Sequence, residues 1–254
     1  MRIDFGKTAD DYARFRAGFP PPFFARLEAL GLLRAGMTAL DLGTGTGTLA
    51  LGLATRGAAV TALDPAPEML AQVAARAKEA GVSIRTIEGK AESTCLPDAA
   101  LDLVIAGQCW HWFDRPRAAA EARRLLKPTG TLMMAHFDWL RIPDGVVAAT
   151  EALISKHSPT WTGAGKSAPY APWYLDLRQA GFEGIESFSF EADVPYTHEA
   201  WRGRIRASAG IGALLTPEKV AAFDAEHAAL LAREFPADPL AVPHRCWAVW
   251  GKKE

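Results

Sequence analysis

TALDLGTGTGTLALGLA, residues Thr38 to Ala54, reads as a short buried strand, a turn carrying three glycines, and then a helix. Gly43, Gly45 and Gly47 lie between the strand Thr38–Leu42 and a helix beginning near Thr46. Glycine belongs where the backbone must enter positive φ or let another group approach closely. A strand–turn–helix unit of this kind is how α/β proteins cradle a nucleotide-like cofactor at a strand's carboxyl end, with Gly43, Thr44, Gly45 and Gly47 as the cradle here. The dinucleotide fingerprint would need glycine at 43, 45 and 48, and position 48 is threonine. No Gly-Lys-Ser/Thr follows to form a phosphate loop, and the acidic Asp41 just ahead of the glycines disfavours a polyphosphate. A nucleoside cofactor without phosphates is what remains.

The rhythm on either side of this turn sets the fold class. Candidate strands are Thr38–Leu42, Ala59–Leu63, Ser83–Glu88, Leu101–Ala106 and Gly130–His136, with helical segments between them. The alanine-rich segment Ala66–Ala80 ends at Gly81, a good helix stop. EARRLLKPTG predicts a helix closed by Lys127, with Pro128 and Gly130 turning into the next strand. Strands alternating with helices of this length imply parallel pairing and right-handed crossovers. After residue 137 the rhythm breaks among prolines and glycines, then resumes with a helix over Ala171–Ala180 and strands Ile185–Phe190 and His244–Trp250. The expected fold is therefore α/β: a doubly wound, mostly parallel, seven-stranded sheet. It is expected to be one domain, with an N-terminal helical cover (1–36), a cofactor-binding core (37–137) and a helical cap insertion (194–243).

Composition narrows the function. A chain of 254 residues with 49% apolar content can bury a full α/β core. No run of about 18 apolar residues suggests a membrane span, and MRIDFGKTADDYARF lacks the apolar centre of a signal peptide. The net charge of −1, with Lys and Arg scattered, offers no electrostatic footprint for nucleic acid. Cys95, Cys109 and Cys246 are widely separated and suggest neither a metal site nor a disulfide framework. The expectation is a cytoplasmic protein, monomer or homodimer, that meets a small-molecule substrate and neither nucleic acid nor membrane.

Strand ends supply the remaining candidates. Asp64 closes the second strand, where a carboxylate accepts both hydroxyl protons of a ribose; aspartate before Pro65 also suits a helix N-cap. Together with the glycine turn this points to S-adenosylmethionine as the nucleoside cofactor. Met69 can pack on an adenine face or simply in the core. EGKAES follows the third strand, so Ala91 and Glu92 can offer an amide and a carboxylate to the adenine amino group, with a solvated loop charge as the other reading of Glu92. Gly107, Gln108, Trp110, His111 and Trp112 crowd the carboxyl end of the fourth strand, where open parallel sheets bind ligands. Two tryptophans around one histidine can wall an apolar slot for a methyl-transfer centre, with His111 either catalytic or structural.

DLGTGTG, Asp64, CWHWFD and the leading DDYARFRAGFP occur in the order found in class I S-adenosylmethionine-dependent methyltransferases. Within that family the chain most resembles small-molecule carboxyl methyltransferases of the trans-aconitate type, over about residues 5–137. The resemblance implies that Tyr12 and Arg16 reach the cofactor's methionine carboxylate; Gln108 and Trp112 are expected to border the cofactor from their place at the end of the fourth strand. Residues 1–20 and 137–243 are expected to cover the site, lined by Tyr12, Arg16, Trp161 and Trp201, with substrate choice made past residue 137. On a helix WRGRIR puts Arg202 and Arg206 on one side, and one of Arg202, Arg204 and Arg206 can pair with a substrate carboxylate or all three can form a solvated helix face. A carboxylate acceptor would need no base, whereas a hydroxyl or ammonium acceptor would use one such as His111.

Overall fold

A computed structural model describes residues 15, 17–161, 163, 172–208, 210–212 and 214–254. Among them seven strands form one sheet in the order β3-β2-β1-β4-β5-β7-β6. They are β1 (Thr38–Leu42), β2 (Ala59–Asp64), β3 (Ile84–Glu88), β4 (Leu101–Gly107), β5 (Leu126–Trp139), β6 (Phe182–Tyr196) and β7 (Leu240–Lys253). The pairs β1/β2, β2/β3, β1/β4 and β4/β5 are all parallel. The helices, in chain order, are α1 (Pro21–Ala29), α2 (Thr48–Ala54), α3 (Pro67–Glu79), α4 (Arg115–Leu125), α5 (Val146–His157), α6 (Trp173–Gln179), α7 (His198–Arg206) and α8 (Pro217–Glu234).

Apolar content explains the strand order. TALDL and LDLVIAG are nearly continuous in apolar residues, and β1 and β4 are buried along almost their whole length at the centre of the sheet. IRTIE and FEGIESFSFEADVPY intersperse polar residues among the apolar ones, and β3 and β6 occupy the two edges with exposed positions between half-buried ones. The helix boundaries follow capping chemistry. Pro67 opens α3 at its first turn, Glu68 sits at its positive end, Arg76 and Lys78 at its negative end, and Gly81 stops it with φ +66.

One expected turn takes another form. Helix α4 ends at Leu125, and extended backbone begins at once at Leu126 instead of at Gly130. Leu126 pairs with Leu101 and Thr131 with Leu103, so the Pro128–Gly130 segment loops out of β5 as a bulge while the ladder continues around it. Thr129 takes φ +65 there, and Lys127 Nζ reaches Asp102 Oδ2 at 3.0 Å. Strands β6 and β7 also extend beyond the expected Ile185–Phe190 and His244–Trp250, to Phe182–Tyr196 and Leu240–Lys253.

The described residues fall into two compact units. The first comprises residues 18–137, 172–190 and 246–254; its core includes Leu40, Leu42, Val104, Ala106, Trp110, Leu125, Leu132, Met134 and Phe182. The second comprises described residues within 138–163 and 191–245, with Phe15 and Ala17; its core includes Val147, Ile154, Trp201, Ile205, Phe223, Leu231 and Val242. Each large side chain fully buried in either core stabilises the fold by about 1.5–3 kcal/mol. No described helix is long and apolar enough to cross a membrane.

Candidate functional site

The parallel register brings four strand ends of the first unit level. Leu42 pairs with Leu63 and with Ala106, and Leu63 pairs with Ile87. The next residues along, Gly43, Asp64, Glu88 and Gly107, therefore form a row at the carboxyl edge. In open α/β sheets this edge is where ligands bind.

The glycine turn is held from behind and open in front. Gly43, Gly45 and Gly47 have φ of +62, +51 and +79. A β-carbon at Gly43 would press on Cys109 Sγ at 3.0 Å and one at Gly47 on Val73 Cγ2 at 2.9 Å, whereas at Gly45 it would meet nothing within 4 Å. The Thr44 N–H donates to Leu63 O at 3.0 Å and its hydroxyl to Asp41 Oδ2 at 2.7 Å. Asp41 Oδ2 also accepts the Ala50 N–H at 3.1 Å, so one buried carboxyl ties β1 to both the turn and α2. Burial pushes the Asp41 pKa up to about 7, reinforced by Asp64 and opposed by the bonds from Thr44 and Ala50.

Asp64 is not the N-cap of α3, a position held by Ala66, but its carboxylate is tied into both the turn and the approach to that helix. Its Oδ2 accepts the Gly45 N–H at 2.9 Å and its Oδ1 the Ala66 N–H at 3.0 Å, so it orders the glycine turn and the entry to α3. A carboxylate offers about four acceptor positions, and two backbone bonds leave capacity for a pair of ribose hydroxyls. Pro65 is exposed beside it and Met69 is half-buried in the first turn of α3. Beyond β3, Ala91 is buried, and Glu92 Oε1 accepts the Asp114 N–H at 2.9 Å, which joins that loop to the start of α4.

At the end of β4 the chain reverses sharply. Gln108 has φ +61, its N–H donates to Ala135 O at 2.8 Å, and its side-chain amide donates to Phe137 O at 3.0 Å. Trp110, His111 and Trp112 form one turn of 3₁₀ helix. Its two tryptophans part company. Trp110 is fully buried, with its indole N–H on Asp176 Oδ2 at 2.9 Å, while Trp112 is 62% exposed. The exposed His111 ring lies 4.8 Å from Trp112 and 5.8 Å from His136, a buried residue of β5. The two tryptophans therefore do not wall a slot together; Trp112, His111 and His136 instead lie ring beside ring. His136 and Phe19 were not singled out from the sequence. Phe19, just ahead of Pro20–Pro22, packs on Phe23 and Phe137 at 4.6 and 6.1 Å, and a β-carbon on Gly107 would meet it at 3.1 Å. The FPPPFF run was the available signal for it.

The turn, the carboxylate and the open space before Gly45 fit a phosphate-free nucleoside cofactor on their donor and acceptor chemistry. Tyr12 and Arg16, assigned to the same cofactor by resemblance, lie outside the described residues. In the second unit, Trp201 is a core residue whose indole N–H donates to Thr150 Oγ1 at 3.1 Å, and Trp161 is half-buried. Arg202 and Arg206 both pair with Asp224, whereas Arg204 lies over the Trp139 ring at 4.8 Å.

Comparisons with known proteins identify the family. A family model described as "Methyltransferase domain" matches residues 40–134. An uncharacterised methyltransferase of Mycobacterium tuberculosis is 39% identical over 134 residues, 52% of this chain and 51% of that protein. The match thus spans about half the length of that relative. An uncharacterised methyltransferase of Schizosaccharomyces pombe is 34% identical over 188 residues, 71% of this chain and 72% of that protein. A solved structure from Anaeromyxobacter dehalogenans, described as a candidate type II methyltransferase, has a TM-score of 0.66 and 23% identity, covering 94% of this chain and 98% of that one. At that identity the likeness concerns the fold.

Proposed function

This chain belongs to the methyltransferase family, and from that premise we propose that it transfers a methyl group from S-adenosylmethionine to a small molecule, at a carboxylate or hydroxyl oxygen. The observation that carries the reading is the pairing of Gly45 with Asp64. The turn amide is fixed on the carboxylate, and the face in front of Gly45 is clear. The cofactor, when bound, supplies an electrophilic methyl on a sulfonium whose departing electron pair stays on sulfur, so its leaving group needs no proton.

The protein's task is then placement. Asp64 accepts the ribose hydroxyls, the Gly43–Gly47 turn admits the cofactor's backbone-like end, and Ala91 with Glu92 faces the adenine. Gln108, His111 and Trp112 border the reacting centre. Holding nucleophile and methyl in line is worth an effective molarity on the order of 10⁵–10⁸ M. His111 serves as a positioning residue if the acceptor is an ionised carboxylate. The scattered charge of the chain, with a net value of −1, supports a small-molecule acceptor over nucleic acid.

Calorimetry with S-adenosylhomocysteine tests the cofactor, with a Kd in the micromolar range expected, about −7 to −9 kcal/mol. Transfer of radiolabelled methyl into a metabolite extract then finds the acceptor class. No binding by the folded protein would overturn the reading. His111→Ala should cost less than about tenfold in turnover; a loss of about 10²–10⁴-fold would instead make it the general base of a hydroxyl or amine acceptor.

A further inference from the structure

Helix α7 carries three arginines at alternate positions, and their surroundings differ. At about 100° per residue, Arg202 and Arg206 share a face and Arg204 points about 200° away from each. Arg202 and Arg206 converge on Asp224, with Glu199 as a second partner for both. They show what a satisfied structural arginine looks like in this unit. Arg204 is half-buried, and no carboxylate, carbonyl or hydroxyl among the described residues accepts a hydrogen bond from it. Its contact is with the Trp139 ring, 4.8 Å from the guanidinium carbon to the ring centroid.

That ring is itself fixed. The Trp139 indole N–H donates to Glu151 Oε1 at 3.3 Å, and its face meets Trp201 edge-on at 5.5 Å. The buried Tyr196 closes a side of the same cluster; it also meets Trp201 edge-on, at 5.3 Å, and its hydroxyl receives the Ala17 N–H at 3.2 Å. A guanidinium carries five N–H donors in a rigid fork, and enclosing it without oxygen acceptors is costly. The half-buried Arg204 instead lies on the aromatic platform of Trp139.

We propose that Arg204, laid on Trp139, is a receptor for the carboxylate of a small ligand. A planar carboxylate matches the fork with two parallel hydrogen bonds, and the indole face holds the fork in plane. Burial lowers the Arg204 pKa, with Tyr196 and Asp138 acting against the shift. A single cation with Asp138 close by suits one negative charge and disfavours a dianion such as phosphate. His244, the other titratable neighbour, is pushed down to about 4 by burial and is neutral at pH 7. Assigning the carboxylate to a methyl acceptor rests on the methyl-transfer reading; recognition of the carboxylate itself does not.

The test titrates the full chain with acetate, benzoate and succinate at constant ionic strength, with phosphate as the control, reading calorimetry and tryptophan fluorescence. Expected are millimolar or tighter binding of the carboxylates and little response to phosphate. Arg204→Gln should weaken binding by about tenfold or more, and Arg204→Lys by a similar amount because the fork is lost. Arg202→Gln should leave it unchanged. Parallel titrations separate the sources of the carboxylate. If Arg204→Gln weakens S-adenosylhomocysteine but not methylthioadenosine, the ligand is the cofactor's amino-acid end; if it weakens the acids alone, the ligand is an acceptor. Wild-type protein that binds no carboxylate, or binds phosphate equally well, overturns the proposal without recourse to a variant. S-adenosylhomocysteine binding with no carboxylate response sinks this inference alone. Carboxylate binding without S-adenosylhomocysteine binding sinks the methyl-transfer reading alone.

Discussion

At Gly45 a β-carbon would meet no atom within 4 Å, while at Gly47 it would meet Val73 Cγ2 at 2.9 Å, although both glycines have left-handed backbone. Alanine at either position incurs left-handed strain of about 1–2 kcal/mol. Only Gly47→Ala adds crowding of a buried valine, for a further 1–3 kcal/mol or so. Urea unfolding should therefore show Gly47→Ala as the less stable variant, and calorimetry should show Gly45→Ala as the one that loses S-adenosylhomocysteine affinity in a folded protein. Undiminished affinity in folded Gly45→Ala would make the turn a purely structural device. Asp64 needs a different expectation, because it serves ligand and fold together. Asp64→Ala strips acceptors from the Gly45 and Ala66 amides, so about 1–3 kcal/mol of stability should go along with a similar loss in cofactor binding. A variant that lost affinity at wild-type stability would show those two amides to be satisfied some other way.

Helix α2 shows how packing overrides propensity. Gly52 lies in its interior, where alanine is favoured by about 1 kcal/mol. Yet a β-carbon there would sit 2.0 Å from Phe24 Cζ, in a ring that is buried under α1 and capped by the Arg56 guanidinium at 4.5 Å. Gly52→Ala should destabilise the protein by about 1–3 kcal/mol in denaturant unfolding; a stabilised variant would mean that Phe24 moves freely. Helix propensity could not reveal this, because the clash depends on a residue from another helix. The same reason separates what was legible in the chain from what was not. The ends of β1 and the start of α3 are dictated by adjacent residues, continuous apolar runs and Pro–Gly punctuation, and they fall within a residue or two of expectation. The glycine turn and Asp64 were legible because strand ends in a parallel sheet share an edge. The bulge in β5 was not, since it depends on Leu126 finding Leu101 before the turn is complete. Nor could WRGRIR reveal which arginine is set apart, because Asp224, which claims two of them, lies in α8. Trp110 was placed at the site by its neighbours in sequence, and it turns inward because Asp176 of α6 accepts its indole N–H.

The two compact units carry buried titratable groups of opposite sign response. His227 and His244, in the second unit, are both pushed down to about 4, chiefly by burial. An unfolded histidine takes up a proton near 6.5 that the folded one refuses, so their contribution to stability is complete above about 6.5 and is lost as the pH falls towards 4, at most about 3 kcal/mol each. Asp41, in the first unit, is raised to about 7 by burial. Its folded form keeps a proton that the unfolded carboxyl releases near 3.8, so it favours the native state in acid and gives up as much as about 4 kcal/mol as the pH rises from about 4 to 7. Carboxylates with lowered values, such as Glu121 at about 2, respond only below about 4.5 and leave the window from 5 to 7 clear. Hydrogen exchange read peptide by peptide and corrected for intrinsic rates should therefore diverge between pH 7 and pH 5. Protection of α7 and α8 should fall while that of β1 and α2 holds or rises. His227→Gln should roughly halve the first response, His244 keeping the rest, and Asp41→Asn should remove the second, each without touching the other. Equal loss of protection in both units on acidification would show that the groups do not titrate as their burial dictates.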